Sequence, residues 1–243
     1  MAVDWWLLNH SSQPVLRIYS WAEATLSIGY RQQFEPPPVL SRLVQNYPVV
    51  VRPTGGGYLL HADELTFSLS IPPHHRLAET EIMELYDLTC RSFQRTLKKL
   101  GLTALPGTSR NTSAGNPVSC LAAPERHEPV LQGKKWLAAA QVRHRGSILE
   151  QGSLFWSENN WPDNDLLDLP FFISNNIDVD KQEFLQVLLP EAIATLDLSS
   201  IEIRGITSAE WRGIRNEASR FEVNSPEELP VFRRFSRQPD REE

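Results

Sequence analysis

The sequence predicts an α+β fold from the order of its local patterns and from its composition. Short segments typical of β-strands dominate the chain up to about residue 155, and the patterns after that point are mainly helical. Strands and helices therefore do not alternate regularly, which favours α+β over a doubly wound parallel sheet. Hydrophobic residues make up 41% of the 243 positions and charged residues 22%, which is typical of a globular protein with a sizeable core.

The first predicted elements are short and are bounded by proline, glycine or serine. Four alternating apolar residues between Leu65 and Ile71 indicate a strand with one buried face. The triple proline at 36–38 predicts a rigid extended stretch before the next helix. In chain order the predictions are a helix at residues 1–10, strands at Val15–Tyr19 and Leu26–Tyr30, a short helix around Leu40–Gln45, and strands at Pro48–Val51 and Leu65–Ile71.

The clearest helix is predicted over about residues 79–100. Its apolar residues recur near every 3.6 positions, and Lys98 and Lys99 suit a helix C-terminus before Gly101. A polar loop is expected at 106–117. Further along the chain we predict strands at Pro129–Gln132, Lys135–Arg143 and Ser147–Phe155, a helix near Lys181–Ala194, a strand at Ile201–Ile203 and a helix at Ser208–Ser219.

No repeat or convincing linker divides the sequence, so one domain is predicted over residues 1–225. Its C-terminal helical part is expected at about 178–222, followed by a charged, flexible tail at 226–243. The formal charge of −6 argues against nucleic-acid binding, which relies on surplus Lys and Arg. Two cysteines and no apolar run near the ~20 residues of a membrane span indicate a cytoplasmic protein that does not enter membranes. We expect a monomer.

The most informative local pattern is the glycine run between two predicted strands, Gly55, Gly56 and Gly57. Glycines permit positive φ values and close approach of a ligand, and their N–H groups could bind an anion or a carbonyl oxygen. A plain hairpin turn is the alternative. Arg52 before the run and His61 after it favour a pocket. The spacing of a P-loop, GxxxxGK(S/T), is absent. A dinucleotide fingerprint does not fit either, since a strand and not a helix follows the glycines.

Cys120 and Lys135 form the second pattern. Cys120 adjoins a loop rich in Pro, Gly and Asn, and a lysine at the start of a predicted strand could reach its thiol. A nearby cation lowers the pKa of a thiol and makes it a competent acyl acceptor. The alternative is that Cys120 is a small buried apolar residue, as Cys90 is expected to be within its amphipathic helix. No Cys/His spacing indicates a zinc site.

Together these motifs resemble the superfamily of lipoate–protein ligase A, octanoyltransferases and biotin protein ligases. The motifs occur in the family's order from residue 1 to about 155, and a weaker similarity continues to about 222. Arg17–Trp21 with Thr25–Gln32 resembles the family's first strand pair, Arg52–His61 its RRxTGGGxxxH loop, Glu64–Ser68 the next strand, and Gly133–Arg143 with Gly146–Ser153 its GRKxxGSAQxR…GxxLxHGS block.

The resemblance implies a mixed, largely antiparallel central sheet flanked by helices, and an enzyme of protein lipoylation. Cys120 resembles the acyl-accepting cysteine of one octanoyltransferase branch, fifteen residues before the motif lysine, Lys135. It would take an octanoyl group from octanoyl-acyl carrier protein and pass it to a lysine of a lipoyl domain, in a 2-oxoacid dehydrogenase or the glycine cleavage H protein. The implied residues are Cys120 and Lys135 for catalysis, Arg52, Thr54, Gly55, Gly56, Gly57, His61, Ala138, Ala139, Ala140 and Gln141 for substrate binding, and none for a metal.

Two other activities stay open at this point. An ATP-dependent lipoate–protein ligase would use ATP and Mg, hold an acyl-adenylate with Lys135 and the glycine loop, and have no use for Cys120. A non-catalytic relative would bind lipoate or lipoyl domains. The transferase needs no cofactor, with octanoate or lipoate as the transferred group.

The sequence also departs from the family pattern. Val51 replaces the first of two arginines, Ala138–Ala140 replaces Gly-Ser-Ala, and Gln151 stands in the place of a histidine. The segment Met1–Leu8 resembles a family helix, NMAxDExLL, that normally follows an N-terminal strand. We therefore expect either a sheet with one strand fewer or a true start upstream of the recorded one.

Overall fold

The structure is a computed structural model that describes residues 1–34, 40–62, 64–107, 128–156, 178–198 and 202–223. The helices are α1 (Ala2–His10), α2 (Leu40–Leu43), α3 (Ile82–Lys99), α4 (Lys181–Leu196) and α5 (Ser208–Glu217), with short 3₁₀ helices at Tyr30–Gln33, Arg76–Glu79 and Ala218–Arg220. The strands are β1 (Val15–Tyr19), β2 (Thr25–Ile28), β3 (Val49–Val51), β4 (Leu59–His61), β5 (Leu65–Ile71), β6 (Ala104–Pro106), β7 (Pro129–Leu131), β8 (Lys134–Lys135), β9 (Leu137–His144), β10 (Ser147–Leu154) and β11 (Glu222–Val223).

The central sheet is antiparallel throughout and has the strand order β1-β5-β10-β9. A second sheet, β11-β3-β2-β4, is mixed, because β2 and β3 run parallel. A small antiparallel sheet has the order β6-β7-β8. The predicted α+β fold with a mixed, largely antiparallel arrangement is confirmed, although the strands of the described residues divide into three sheets.

Both faces of the central sheet are covered. On one face, aromatic residues of α3, α4 and the sheet pack together, including Phe93, Phe184, Phe67 and the fully buried Trp136. On the other face, α1 and the second sheet pack against β9 and β10 through residues such as Trp5. This double coverage explains why all seven residues of β5 are buried, although their alternation predicted one buried face.

Most predicted elements are confirmed to within a few residues, including the long helix α3, where Cys90 is buried as expected. The predicted strand that started at Lys135 is split, because Trp136 donates its N–H to the carbonyl oxygen of Pro129 between β8 and β9. The strand predicted at Ile201–Ile203 is wrong over its two described residues, which lie in an irregular stretch where Ile203 is 75% exposed.

The extent of the domain, 1–225, stays a prediction, and the predicted tail at 226–243 lies outside the described residues. Across the described ranges, no helix has the length and apolar character needed to cross a lipid bilayer.

Candidate active site

The glycine loop between β3 and β4 is braced from within by Arg52, whose side chain is buried. The guanidinium donates hydrogen bonds to the carbonyl oxygen of Gly55 at 2.9 Å, to that of Gly57, and to Ser27 Oγ at 2.9 Å. Gly56 has a φ of 87°, which favours glycine. These hydrogen bonds from Arg52 to the backbone carbonyls hold the loop in one conformation.

His61 continues this network at the end of β4. Its Nδ1 lies 2.5 Å from Glu64 Oε1, and its Nε2 lies 2.7 Å from Ser27 Oγ, the same hydroxyl that accepts from Arg52. Burial alone raises the pKa of Glu64, but the charge interaction and hydrogen bond with His61, together with hydrogen bonds from the backbone of Ala62 and Glu64, outweigh it and lower the pKa. Arg52, Ser27, His61 and Glu64 thus form one buried hydrogen-bonded chain beneath the glycine loop.

A cleft lies between this network and the central sheet, with about 360 Å³ of space that includes solvent at its mouth. Ala138, Ala139 and Ala140 of β9 all line this cleft, and Ala138 and Ala140 turn their side chains to the same face of the strand. Ser153 Oγ is buried in the lining and has no hydrogen-bond partner among the described residues. The lining residues are Met1, Tyr19, Ser27, Arg52, Leu59, His61, Thr66, Ala138, Ala139, Ala140, Gln151, Gly152 and Ser153.

Gln151 connects the glycine loop with α1 across the cleft. Its Oε1 accepts a hydrogen bond from Thr54 Oγ1 at 3.1 Å, and its Nε2 donates to Asp4 Oδ2 at 2.7 Å. Asp4 is fully buried and also accepts from Arg17 Nη1 at 2.7 Å and Ser68 Oγ at 2.8 Å. Thr54 is therefore linked to α1 through Gln151.

The charge of Asp4 is well compensated despite its burial. Burial alone raises its pKa, but the N-terminal amine, Arg17 and hydrogen bonds from Ser68 and Gln151 outweigh this and lower the pKa. The carboxylate consequently anchors α1 to the central sheet as an ion.

Lys135 lies on β8 and is not among the described residues that line the cleft. Its Nζ lies 2.6 Å from Glu128 Oε2, and Tyr86 Oη donates to Glu128 Oε1 at 3.0 Å. The side chains of Lys135 and Glu128 are 4% and 3% exposed, so the pair is almost wholly removed from water. The contact with Glu128 holds the Lys135 side chain in one place, unlike that of a mobile surface lysine.

Gln141 is likewise not among the described residues that line the cleft. Successive side chains of a strand point to opposite faces, so Gln141 turns to the opposite face from Ala140. Its Nε2 donates to Glu150 Oε2 at 2.7 Å and to the backbone oxygen of Ile82 on α3. Its predicted role in substrate binding stays a prediction.

The structure thus gathers Arg52, His61 and Ala138–Ala140 around one cleft, with Thr54 linked to it. Cys120 lies outside the described residues, so its predicted role as acyl acceptor stays a prediction. Sequence reasoning missed Asp4, Ser27, Glu64 and Glu128 as parts of the site; only Glu64, three residues after His61, carried a local signal. Over the described ranges, no cluster of His, Cys, Asp or Glu could hold a metal ion.

Comparison with known proteins places these features in a family. The family described as lipoyl protein ligase A/B catalytic domain matches residues 1–167. The chain belongs to this family. Octanoyltransferase LipM of Macrococcus caseolyticus is 34% identical to it over 214 residues, which cover 84% of this chain and 75% of that protein. Octanoyltransferase LipM of Bacillus subtilis is 35% identical over 166 residues, covering 63% of this chain and 59% of that protein.

Solved structures show the same fold at low sequence identity. Lipoate-protein ligase A bound with ATP matches with a TM-score of 0.68 and 21% identity, covering 90% of this chain and 87% of that one. A bi-partite lipoate protein ligase from Thermoplasma acidophilum, studied with its E2 lipoyl domain, gives a TM-score of 0.65 and 19% identity, covering 90% and 86%. The lipoate protein ligase catalytic fold that the motifs implied is therefore confirmed.

Proposed function

We propose that this chain is an octanoyltransferase that transfers an octanoyl group to the lysine of a lipoyl domain. The observation that carries the proposal is its identity of 31–37% with several proteins named octanoyltransferase LipM. The donor would be octanoyl-acyl carrier protein, and the acceptor a lipoyl domain of a 2-oxoacid dehydrogenase or the glycine cleavage H protein. The reaction would take place in the cytoplasm and would need no cofactor.

The chemistry consists of two acyl transfers through Cys120. The Cys120 thiolate attacks the thioester carbonyl of the donor, the carrier thiolate leaves and takes up a proton, and an octanoyl-Cys120 thioester results. The neutral amine of the acceptor lysine then attacks this thioester and forms an amide. The Cys120 thiolate leaves, and the proton that the amine loses restores the Cys120 thiol. Each step develops negative charge on the carbonyl oxygen, which Lys135 would stabilise.

The lining of the cleft supports this proposal. Ala138 and Ala140 of β9 present small apolar side chains on one face, which suits a hydrocarbon chain, and hydrophobic burial favours such a chain by about 0.8 kcal/mol per CH₂. The Ser153 hydroxyl, buried without a partner among the described residues, could donate to an acyl oxygen. Ser27, Arg52 and His61, which lie beneath the glycine loop, would form the opposite wall.

An ATP-dependent lipoate ligase is the second candidate, because the fold matches lipoate-protein ligase A bound with ATP. In that reaction Lys135 and the glycine loop would hold the acyl-adenylate, ATP and Mg would be consumed with lipoate, and Cys120 would be dispensable.

Mass spectrometry of the intact protein incubated with octanoyl-acyl carrier protein, without ATP, tests the proposal. We expect a covalent octanoyl adduct that hydroxylamine removes and that Cys120→Ala abolishes. Cys90→Ala is the matched control, because Cys90 is buried in α3 and should leave the adduct intact.

The acceptor reaction separates the candidates. Octanoyl transfer to a lipoyl domain without ATP supports the transferase, and lipoyl-domain modification that occurs only with ATP and tolerates Cys120→Ala supports the ligase. Binding of octanoate or of a lipoyl domain with neither reaction would contradict both and indicate a non-catalytic relative.

A further inference from the structure

We propose that Glu128, itself held by Tyr86, is a positioning residue for Lys135, an inference that rests on the proposed function of this chain. Its role would be to fix the lysine ammonium where the acyl carbonyl oxygen is polarised. The residue acts through Lys135 and does not itself contact the reacting atoms.

The first support is the geometry of the buried triad. Glu128 Oε2 lies 2.6 Å from Lys135 Nζ, and its Oε1 accepts a hydrogen bond from Tyr86 Oη at 3.0 Å. Both carboxylate oxygens are therefore engaged, and the carboxylate cannot rotate without losing one contact. An ammonium can donate up to three hydrogen bonds, so a carboxylate on one side orients it toward an acceptor on another.

The second support is the backbone that carries the pair. Val130 and Lys135 are register partners between β7 and β8, and the carbonyl oxygen of Glu128 accepts a hydrogen bond from Gly107 N at 2.9 Å. Tyr86 lies on α3, the long helix packed on the central sheet. The carboxylate that pairs with the lysine is thus held both by its own backbone and by Tyr86 of α3, and this limits the several torsions of the lysine side chain.

The third support is energetic. A buried ion pair often contributes little net stability, because removing two charges from water costs several kcal/mol per ion. Folding alone would be served as well by apolar residues of similar size. A second ion pair, Glu191 with Lys99, shows the contrast, since its lysine is 60% exposed and remains in water. The dry Glu128–Lys135 pair is better explained by a need for a fixed cation.

A double-mutant cycle on octanoyl transfer by the full chain tests this role. We expect Glu128→Gln to lower kcat by about 10-fold or more, with KM for octanoyl-acyl carrier protein changed less than about 2-fold. In a Lys135→Gln background the same substitution should have no further effect, because the group it positions is gone. Glu128→Asp should recover part of the lost kcat, and Tyr86→Phe should lower kcat more weakly.

The matched control is Glu191→Gln, which removes a Glu–Lys ion pair between α3 and α4 without touching the site. It should leave kcat unchanged. Equal loss of kcat from Glu128→Gln in both backgrounds, or an unchanged kcat, would overturn the proposal. If Glu128→Gln does not fold, as judged by circular dichroism, the cycle is run with Tyr86→Phe, where independent effects would again overturn it.

Failure of the proposed function gives a different result. A wild-type chain that transfers no octanoyl group without ATP refutes the transferase, and the same cycle is then measured on ATP-dependent transfer of lipoate. Coupling between Glu128 and Lys135 in that reaction would support the positioning role. A chain without either reaction has no catalysis for Lys135 to serve, and the inference would fall.

Discussion

Glu150 lies in the middle of β10 with its carboxyl group fully buried on the side of the central sheet that faces α3. Gln141 Nε2 donates to it at 2.7 Å and Thr89 Oγ1 at 3.4 Å. Oε1 has no hydrogen-bond partner among the described residues. Burial raises the pKa of Glu150 to about 8, and these two hydrogen bonds offset only part of the effect. The neutral acid is therefore the form that the folded protein favours.

The sign and size of the pH effect follow from this raised pKa. The unfolded chain releases the Glu150 proton near pH 4.5, whereas the folded chain keeps it up to about pH 8. Its stabilising contribution is therefore complete below about pH 4.5 and is lost as the pH rises to about 8. The slope is about 1.4 kcal/mol per pH unit, which gives a total of about 5 kcal/mol over the interval.

Glu150→Gln removes this dependence, because an amide stays neutral at every pH. The free energy of unfolding is measured by urea denaturation at pH 5, 6, 7, 8 and 9 for both proteins. We expect the difference between variant and wild type to shift in favour of the variant by about 1.4 kcal/mol per pH unit up to about pH 8, and then to level off. Any constant packing cost of glutamine cancels from this slope.

Glu191→Gln is the control for a buried glutamate of the opposite kind. Hydrogen bonds from Lys99 and Arg95 lower the pKa of Glu191, so it is ionised in both states above about pH 5. The difference in free energy of unfolding between Glu191→Gln and the wild type should not vary between pH 5 and 9. A Glu150→Gln difference that is equally flat would refute the reasoning.

Two further predictions concern the frame of the cleft. A Cβ at Gly29 would lie 2.0 Å from the carbonyl oxygen of Gly56, so Gly29→Ala should lower the free energy of unfolding by about 1–3 kcal/mol. Gly55→Ala, which meets no atom within 4 Å, should be close to neutral, and equal stability of the two variants in urea would contradict this. Asp4→Asn leaves the Arg17 charge without its buried partner and should cost about 3–5 kcal/mol at pH 7. The lowered pKa of Asp4 gives stability that is present above about pH 4 and is lost as the pH falls, so the cost of Asp4→Asn should shrink below pH 4, and a constant cost would contradict it.

Local patterns in the sequence predicted most elements of this fold. The period of α3 and the alternation of β5 arise within short windows, where each apolar side chain must reach one face. The glycine loop and the ordered motifs likewise identified the family, because the loop needs particular residue types at adjacent positions. The isolated strand predicted at Ile201–Ile203 failed at Ile203, since an apolar run forms a strand only where a neighbouring strand can pair with it.

The amino-acid sequence by itself determined the class of fold, the family and the residue types of the site. Only the tertiary structure decided what these residues do. Arg52 holds the glycine loop, and Gln141 faces α3. Gln151 joins Thr54 to Asp4, and Gln151 and Asp4 are 147 residues apart in the sequence. Glu128 meets Tyr86 across 42 residues. The physical reason is that a local pattern fixes which side chains share a face, while packing between distant elements fixes what that face meets.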